Sequence, residues 1–213
     1  MDKNIKLPDI KDTIVPSDYN DLYMDISYNV QINKAKNYNL TAEYAEHCIK
    51  QLKKRPYYLV SLAKMFNVKN IAEVGTAEGL QFFSFAKYAR ETNGHVWSCD
   101  IKDVRNASYS NKYNDNTTFC LGDSKALSDI IKEKIDLFYI DGAHDYGSVI
   151  TDVLNLRKHQ SDNPIWIFDD YDQRFGCYKD IERICQNRKS FKYSVGNTAS
   201  GNPNHQAVVF GKL

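Results

Sequence analysis

Ile71–Leu80 reads IAEVGTAEGL: a short apolar run, an acid, then two glycines, Gly75 and Gly79, opening onto a helical pattern. This is a strand passing through a tight turn into a helix, the beginning of a βαβ unit in a parallel sheet. Gly75 lets the chain leave the strand sharply, and Gly79 lets backbone come close to a ligand. The spacing is ExGxxxG, which is not the GxGxxG of dinucleotide-binding turns; the GxxxxGK[ST] of a phosphate-cradling loop is excluded. Glu73 stands at the last turn of the strand, where a carboxylate is costly to bury unless a cation meets it.

Working outward, short apolar runs at 96–101, 117–121, 135–140 and 165–168 read as further strands. Helical segments lie between and after them, at 80–90, 124–132, 147–159 and 178–187. Strands alternating with helices imply a doubly wound α/β sheet, mostly parallel, with helices on both faces. The runs are almost wholly apolar, as strands covered on both sides must be. Segments 191–195 and 207–210 end the chain as an antiparallel pair joined by the turn-rich NTASGNPNH loop, 197–205.

Upstream, Thr41 has the character of an N-cap for a helix whose stripe is Ala42, Ala45, Cys48, Ile49 and Leu52. Lys53, Lys54 and Arg55 are expected to close that helix, as cations suited to its C-terminal dipole. After Pro56, residues 57–66 form a second helix with Leu59, Leu62, Ala63 and Phe66 on one side. Residues 1–40 read as an irregular arm with short helical turns, and 41–213 as the domain. The arm's tyrosines (Tyr19, Tyr23, Tyr28, Tyr38) are candidates to pack on the domain, close over a site or build a homo-oligomer contact.

The 213 residues suit one α/β domain. Lys and Arg total 28 against 27 Asp and Glu, a net charge of +1, so no broad field draws in nucleic acid or an anionic membrane. The five cysteines are scattered without a CxxC pair, which argues against a disulfide framework or a zinc site and for a reducing compartment. The first residues lack the apolar core of a signal peptide, and no stretch reaches membrane-span length. A cytoplasmic location is the expectation.

Two more strands end in acids. Asp100 closes VWSCD, where doubly wound nucleotide-binding folds place an acid on ribose hydroxyls. Asp123 closes TTFCLGD, and either accepts from an adenine amino group or N-caps the helix beginning at Ser124. Three acids at successive strand ends are much stronger than one. In content and order these motifs resemble the class I S-adenosylmethionine-dependent methyltransferases, over about residues 57–213. The resemblance implies a seven-stranded sheet with an antiparallel last strand. It places Glu73, Gly75, Thr76 and Gly79 beside the methionine part of the cofactor, Asp100 at the ribose, and Asp123 with Ser124 at the adenine.

The fourth and fifth strands end as IDGAHDY and FDDY, bringing Asp141, Asp169 and Asp170 to one rim. Three converging carboxylates repel unless a cation neutralises them, and hard oxygen ligands suit Mg²⁺ or another divalent ion. The alternative is that Asp169 caps a turn, Asp170 faces solvent and Asp141 contacts the cofactor. These motifs are similar to those of small-molecule O-methyltransferases of the macrocin and aminocoumarin sugar type, and more distantly the catechol type. That resemblance implies a divalent metal on Asp141, Asp169 and Asp170 and a small-molecule hydroxyl acceptor, with no nucleic-acid or membrane partner. His144, or Asp141 itself, is then a candidate general base; alternatively His144 pairs with a neighbouring carboxylate or caps a helix. The family's Gly-Gly turn before the fifth strand is replaced by HQSDNPIW, and His205 reads as part of a turn. A methyltransferase acting without metal on nitrogen or a macromolecule, or a non-catalytic nucleotide-binding protein, stays open as an alternative.

Overall fold

The computed structural model describes residues 14–52, 54–197 and 202–213, without the side chains of 48–52 and 197. Seven strands form one sheet: β1 (Asn70–Val74), β2 (His95–Asp100), β3 (Thr117–Leu121), β4 (Ile135–Ile140), β5 (Gln160–Phe168), β6 (Ser190–Asn197) and β7 (Pro203–Phe210). Their order is β3-β2-β1-β4-β5-β7-β6. The first five pair in parallel, and β7 runs antiparallel to both β5 and β6. The order reverses beside β1, so the C-terminal ends of β1 and β4 flank the crevice where open α/β sheets bind ligands.

The apolar runs supply both faces of the sheet. Ile71, Leu137, Tyr139, Ile165 and Ile167 pack toward one core, while Ala72, Phe138, Ile140, Trp166 and Phe168 pack toward the other. The first core is covered by α4 (Lys54–Met65) and α5 (Leu80–Glu91). The second is covered by α7 (Ser124–Ile130), α8 (Ser148–Leu156) and α9 (Tyr178–Cys185).

The arm is more ordered than its composition indicates. Its described part is α1 (Ser17–Tyr23), a π-helical turn (Met24–Tyr28) and α2 (Asn29–Asn37), continuous in the chain. Tyr19, Leu22 and Ile26 enter the first core, and Asp18 pairs with Lys87 of α5 at 2.8 Å. Helix α3 (Ala42–Leu52) begins as expected, with Thr41 Oγ1 accepting from Tyr44 N at 3.3 Å. The stripe positions Cys48, Ile49 and Leu52 lie outside the described side chains, as do Lys53 and residues 198–201 of the loop before β7.

Two differences from the sequence reading follow from local chemistry. Pro56 does not separate two helices but sits in the first turn of α4, where its missing N–H has no intrahelical partner to lose. A short helix, α6 (Ala107–Lys112), appears in a polar stretch without apolar periodicity, because the Asn106 side chain accepts from the amides of Ser108 and Tyr109. The QSDNP segment, 160–164, becomes the beginning of β5, with a register shift against β4.

Candidate active site

The turn after β1 is held from both sides. Gly75 N donates to Cys99 O at 2.9 Å, and Asp141 N donates to Val74 O at 2.9 Å. Gly75 has φ +91°, and a Cβ on it would lie 1.9 Å from the carbonyl oxygen of Asp141. Only glycine lets this turn lie against the loop after β4, so one residue joins the two ends of the crevice. Gly79, φ +93°, leaves its space to the ring of Phe83 in its own helix.

Glu73 is 1% exposed. One carboxylate oxygen accepts from Ser98 Oγ at 2.6 Å, Ser98 Oγ in turn meets Thr76 Oγ1 at 2.6 Å, and the other oxygen is buried without a partner among the described residues. Burial pushes this carboxyl up to about 8. A buried, half-satisfied acid is the receptor a primary ammonium needs, so the residues fit the methionine end of S-adenosylmethionine.

The neighbouring acids hold backbone. Asp100 accepts from the amides of Ala77 at 2.8 Å and Lys102 at 3.1 Å. Asp123 caps α7 through Ala126 N at 2.9 Å, one of the two roles open to it from the sequence. Ser124, expected at the cofactor, is buried and turned into the seam between α7 and α8, accepting from Asn155 Nδ2 at 3.0 Å.

At the other half of the rim the structure departs from the expected acid triad. Asp169 does not stand free: one oxygen is hydrogen-bonded by the Arg55 guanidinium and the other accepts from Gln206 Nε2 at 2.8 Å. The same Arg55 Nη2 reaches Asp141 Oδ2 at 3.2 Å and the Tyr139 hydroxyl at 2.5 Å. Burial opposes the charge on Arg55, but Tyr139, Asp141 and Asp170 outweigh it and raise its pKa. Asp170 instead meets His144, Nε2 to Oδ2 at 2.8 Å, with Asp141 Oδ1 3.9 Å from the same nitrogen. Asp141 across that gap and Asp170 in direct contact push His144 up to about 10.

As an all-carboxylate set, Asp141, Asp169 and Asp170 therefore do not fit Mg²⁺ as arranged, because protein donors take both oxygens of Asp169. Among the described residues, Asp141, His144 and Asp170 offer donor atoms within 4.8 Å of one another. One of those is an imidazole already bonded to an acid.

The loop carrying His144 is anchored by the segment after β5. Cys177 N donates to His144 O at 3.0 Å, and Gly147 N donates to the buried Asp180 carboxylate at 2.7 Å. Four of the six described non-glycine residues with positive φ are Asn, which tolerates that region; the other two, Ala77 and Asp170, both lie at the rim. His205 lies in β7 rather than in a turn, 3.9 Å from Asp172.

Ser98, Tyr139, Gln206 and above all Arg55 were missed in the sequence. Arg55 lies four residues before Leu59 and seven before Leu62, on the apolar stripe of α4. A charge on a buried stripe was the available signal, and its place in a basic run concealed it.

Residues 72–171 match a family model described as a methyltransferase domain. No curated protein matches the chain in sequence. Among solved structures, the Bacillus cereus O-methyltransferase in complex with S-adenosylhomocysteine has a TM-score of 0.62 at 14% identity, covering 94% of each chain. The O-methyltransferase TomG from Streptomyces achromogenes, involved in tomaymycin synthesis and solved with S-adenosylmethionine, has a TM-score of 0.61 at 11% identity, covering 74% of this chain and 79% of that one. An rRNA methylase from Streptococcus thermophilus has a TM-score of 0.51 at 12% identity, covering 68% of this chain and 87% of that one. At such identities the likeness is one of fold. The matched segment is that of a methyltransferase domain, and the sheet order and the glycine turn beside a half-satisfied acid fit that reading.

Proposed function

We propose that the chain methylates a hydroxyl group of a small molecule. The observation that carries this reading is the His144–Asp170 contact on the loop that Gly75 brings against the cofactor turn. A hydroxyl must lose its proton as it becomes a methyl ether, so a base beside the delivery point is needed. S-adenosylmethionine, when bound, supplies an electrophilic methyl group on a sulfonium. Glu73 would receive its ammonium, with the Gly75–Gly79 turn and Asp100 the residues to hold the rest of it. His144 takes the acceptor proton when its ring is neutral, while Asp170 orients the ring and stabilises the imidazolium that forms. Asp141, the other candidate base, already receives hydrogen bonds from Arg55 and Tyr139.

Near-neutral net charge and the lack of a membrane-crossing helix among the described residues support a small acceptor and a cytoplasmic setting. A homo-oligomer contact through α1 would use its outer face, since its inner face, Tyr19 and Leu22, is buried in the domain.

The test is methyl transfer from labelled S-adenosylmethionine to a panel of sugars, phenols and amines, with wild type and His144→Gln. Hydroxyl acceptors are expected to be methylated, and His144→Gln to lower transfer about 10²–10⁴-fold while S-adenosylhomocysteine still binds. Because neighbouring acids raise the His144 pKa, its base form accumulates as pH rises, so the wild-type rate should climb toward about pH 10 and the variant's should not. Turnover of amines alone, or undiminished transfer by His144→Gln, overturns the reading.

A further inference from the structure

Asp141 and Asp169 end adjacent parallel strands, and an ion bridging them would occupy the space between their carboxylates. Arg55 Nη2 fills that space: it lies 3.2 Å from Asp141 Oδ2 and hydrogen-bonds Asp169 Oδ2. Divalent ions hold oxygen ligands at roughly 2.0–2.6 Å, so an ion and this nitrogen compete for one volume. The guanidinium is built into the fold. Arg55 is 8% exposed, sits on the apolar stripe of α4, and is further held by Tyr139. A guanidinium keeps its charge across the whole working pH range. Gln206 completes Asp169 from the β7 side, so that acid has no oxygen left over.

A second observation concerns the other end of the same group. Arg55 Nε is buried and has no hydrogen-bond partner among the described residues. An unmatched buried N–H is costly, and here it belongs to a fixed cation at a ligand-binding rim. It is a donor left for an oxygen of a bound molecule.

We propose that Arg55 is the resident cation of this active site, taking the place of a bridging divalent metal between Asp141 and Asp169 and presenting its unpaired Nε–H to the bound molecule. Asp141, His144 and Asp170 do not escape the consequence, because Asp141 is shared and a dication there faces the Arg55 charge. The inference rests on the methyltransferase reading of the rim, and the experiment separates the two.

S-adenosylhomocysteine binding is measured calorimetrically on the full chain with and without EDTA. Mn²⁺ binding is then followed by electron paramagnetic resonance at saturating S-adenosylhomocysteine, in wild type, Asp169→Asn and Arg55→Met. Wild type should bind S-adenosylhomocysteine equally with and without EDTA, and hold no stoichiometric Mn²⁺ at millimolar concentration. Arg55→Met frees the acids and should gain one Mn²⁺ site, at least about tenfold tighter than anything in wild type. Folding of Arg55→Met only when Mn²⁺ is present supports the same conclusion. If that variant does not fold under any condition, the wild-type titration decides.

One tightly bound Mn²⁺ in wild type, lost in Asp169→Asn, overturns the proposal. So does a folded Arg55→Met that gains no site. Failure of wild type to bind S-adenosylhomocysteine strikes the methyltransferase reading itself and is seen before any metal is added.

Discussion

At the ends of β2 and β3 the acids hold backbone close to them in space or sequence: Asp100 receives the amides of Ala77 and Lys102, and Asp123 receives that of Ala126. At the ends of β4 and β5 the acids hold side chains from distant elements. Asp141 and Asp169 share Arg55 from α4, Asp169 also takes Gln206 from β7, and Asp170 takes His144. The first half is a set of turns and caps on which a ligand can lie. The second is a charge network, buried at Arg55, Asp169 and Asp170, whose members satisfy one another only if the whole domain is assembled. Local caps are each worth about 1 kcal/mol, whereas breaking one partner out of a buried pair costs about 3–5 kcal/mol. The two halves should therefore respond very differently to substitution.

The largest effect is expected at the joint between them. Gly75→Ala puts a methyl group 1.9 Å from the Asp141 carbonyl at a φ of +91°, so the loss should exceed about 4 kcal/mol, read as loss of cooperative thermal unfolding. A folded, cofactor-binding Gly75→Ala would show that the two halves are not in contact as described. Next, Arg55→Met should lower stability in denaturant titrations by about 3–5 kcal/mol, because the buried Asp169 and the half-buried Asp141 lose their cation. A loss under about 1 kcal/mol would place the second half on the same footing as the first.

Glu73 offers a test within the cofactor half. Its folded pKa is raised from 4.5 to about 8, so the folded chain holds that proton more tightly than the unfolded one. Stability should therefore fall as pH rises across that window. Glu73→Gln should remove this part of the slope and gain about 1–3 kcal/mol at about pH 9, while weakening S-adenosylhomocysteine binding through its ammonium. Unchanged binding would mean that the buried carboxylate serves the fold rather than the ligand. The smallest effect is expected from Asp123→Ala, about 1 kcal/mol from one lost cap. A larger drop in cofactor affinity than in stability would show the adenine role left open beside the cap.

Much of this architecture could be read from the chain. β3 and β4 fall where their apolar runs lie, and the antiparallel end of the sheet follows from two strands with only a turn between them. Thr41 and Asp123 cap as their residue types require. The arm was harder to read because its helices are polar on most faces, with Tyr19, Leu22, Tyr23, Ile26 and Ala35 the buried apolar residues among those described. Helix α6 was missed for a related reason, a cap without a stripe.

By itself the sequence determined what short-range physics controls: strands from apolar runs, turns from glycine, caps from Asp and Thr, and hence the parallel α/β sheet with acids along one edge. Only the tertiary structure decided what those acids do. Arg55 lies 86 residues from Asp141 and 114 from Asp169, and no periodicity or spacing relates positions so far apart. Their pairing is set by how α4 packs on the sheet, and by the cost of leaving a buried charge without its opposite.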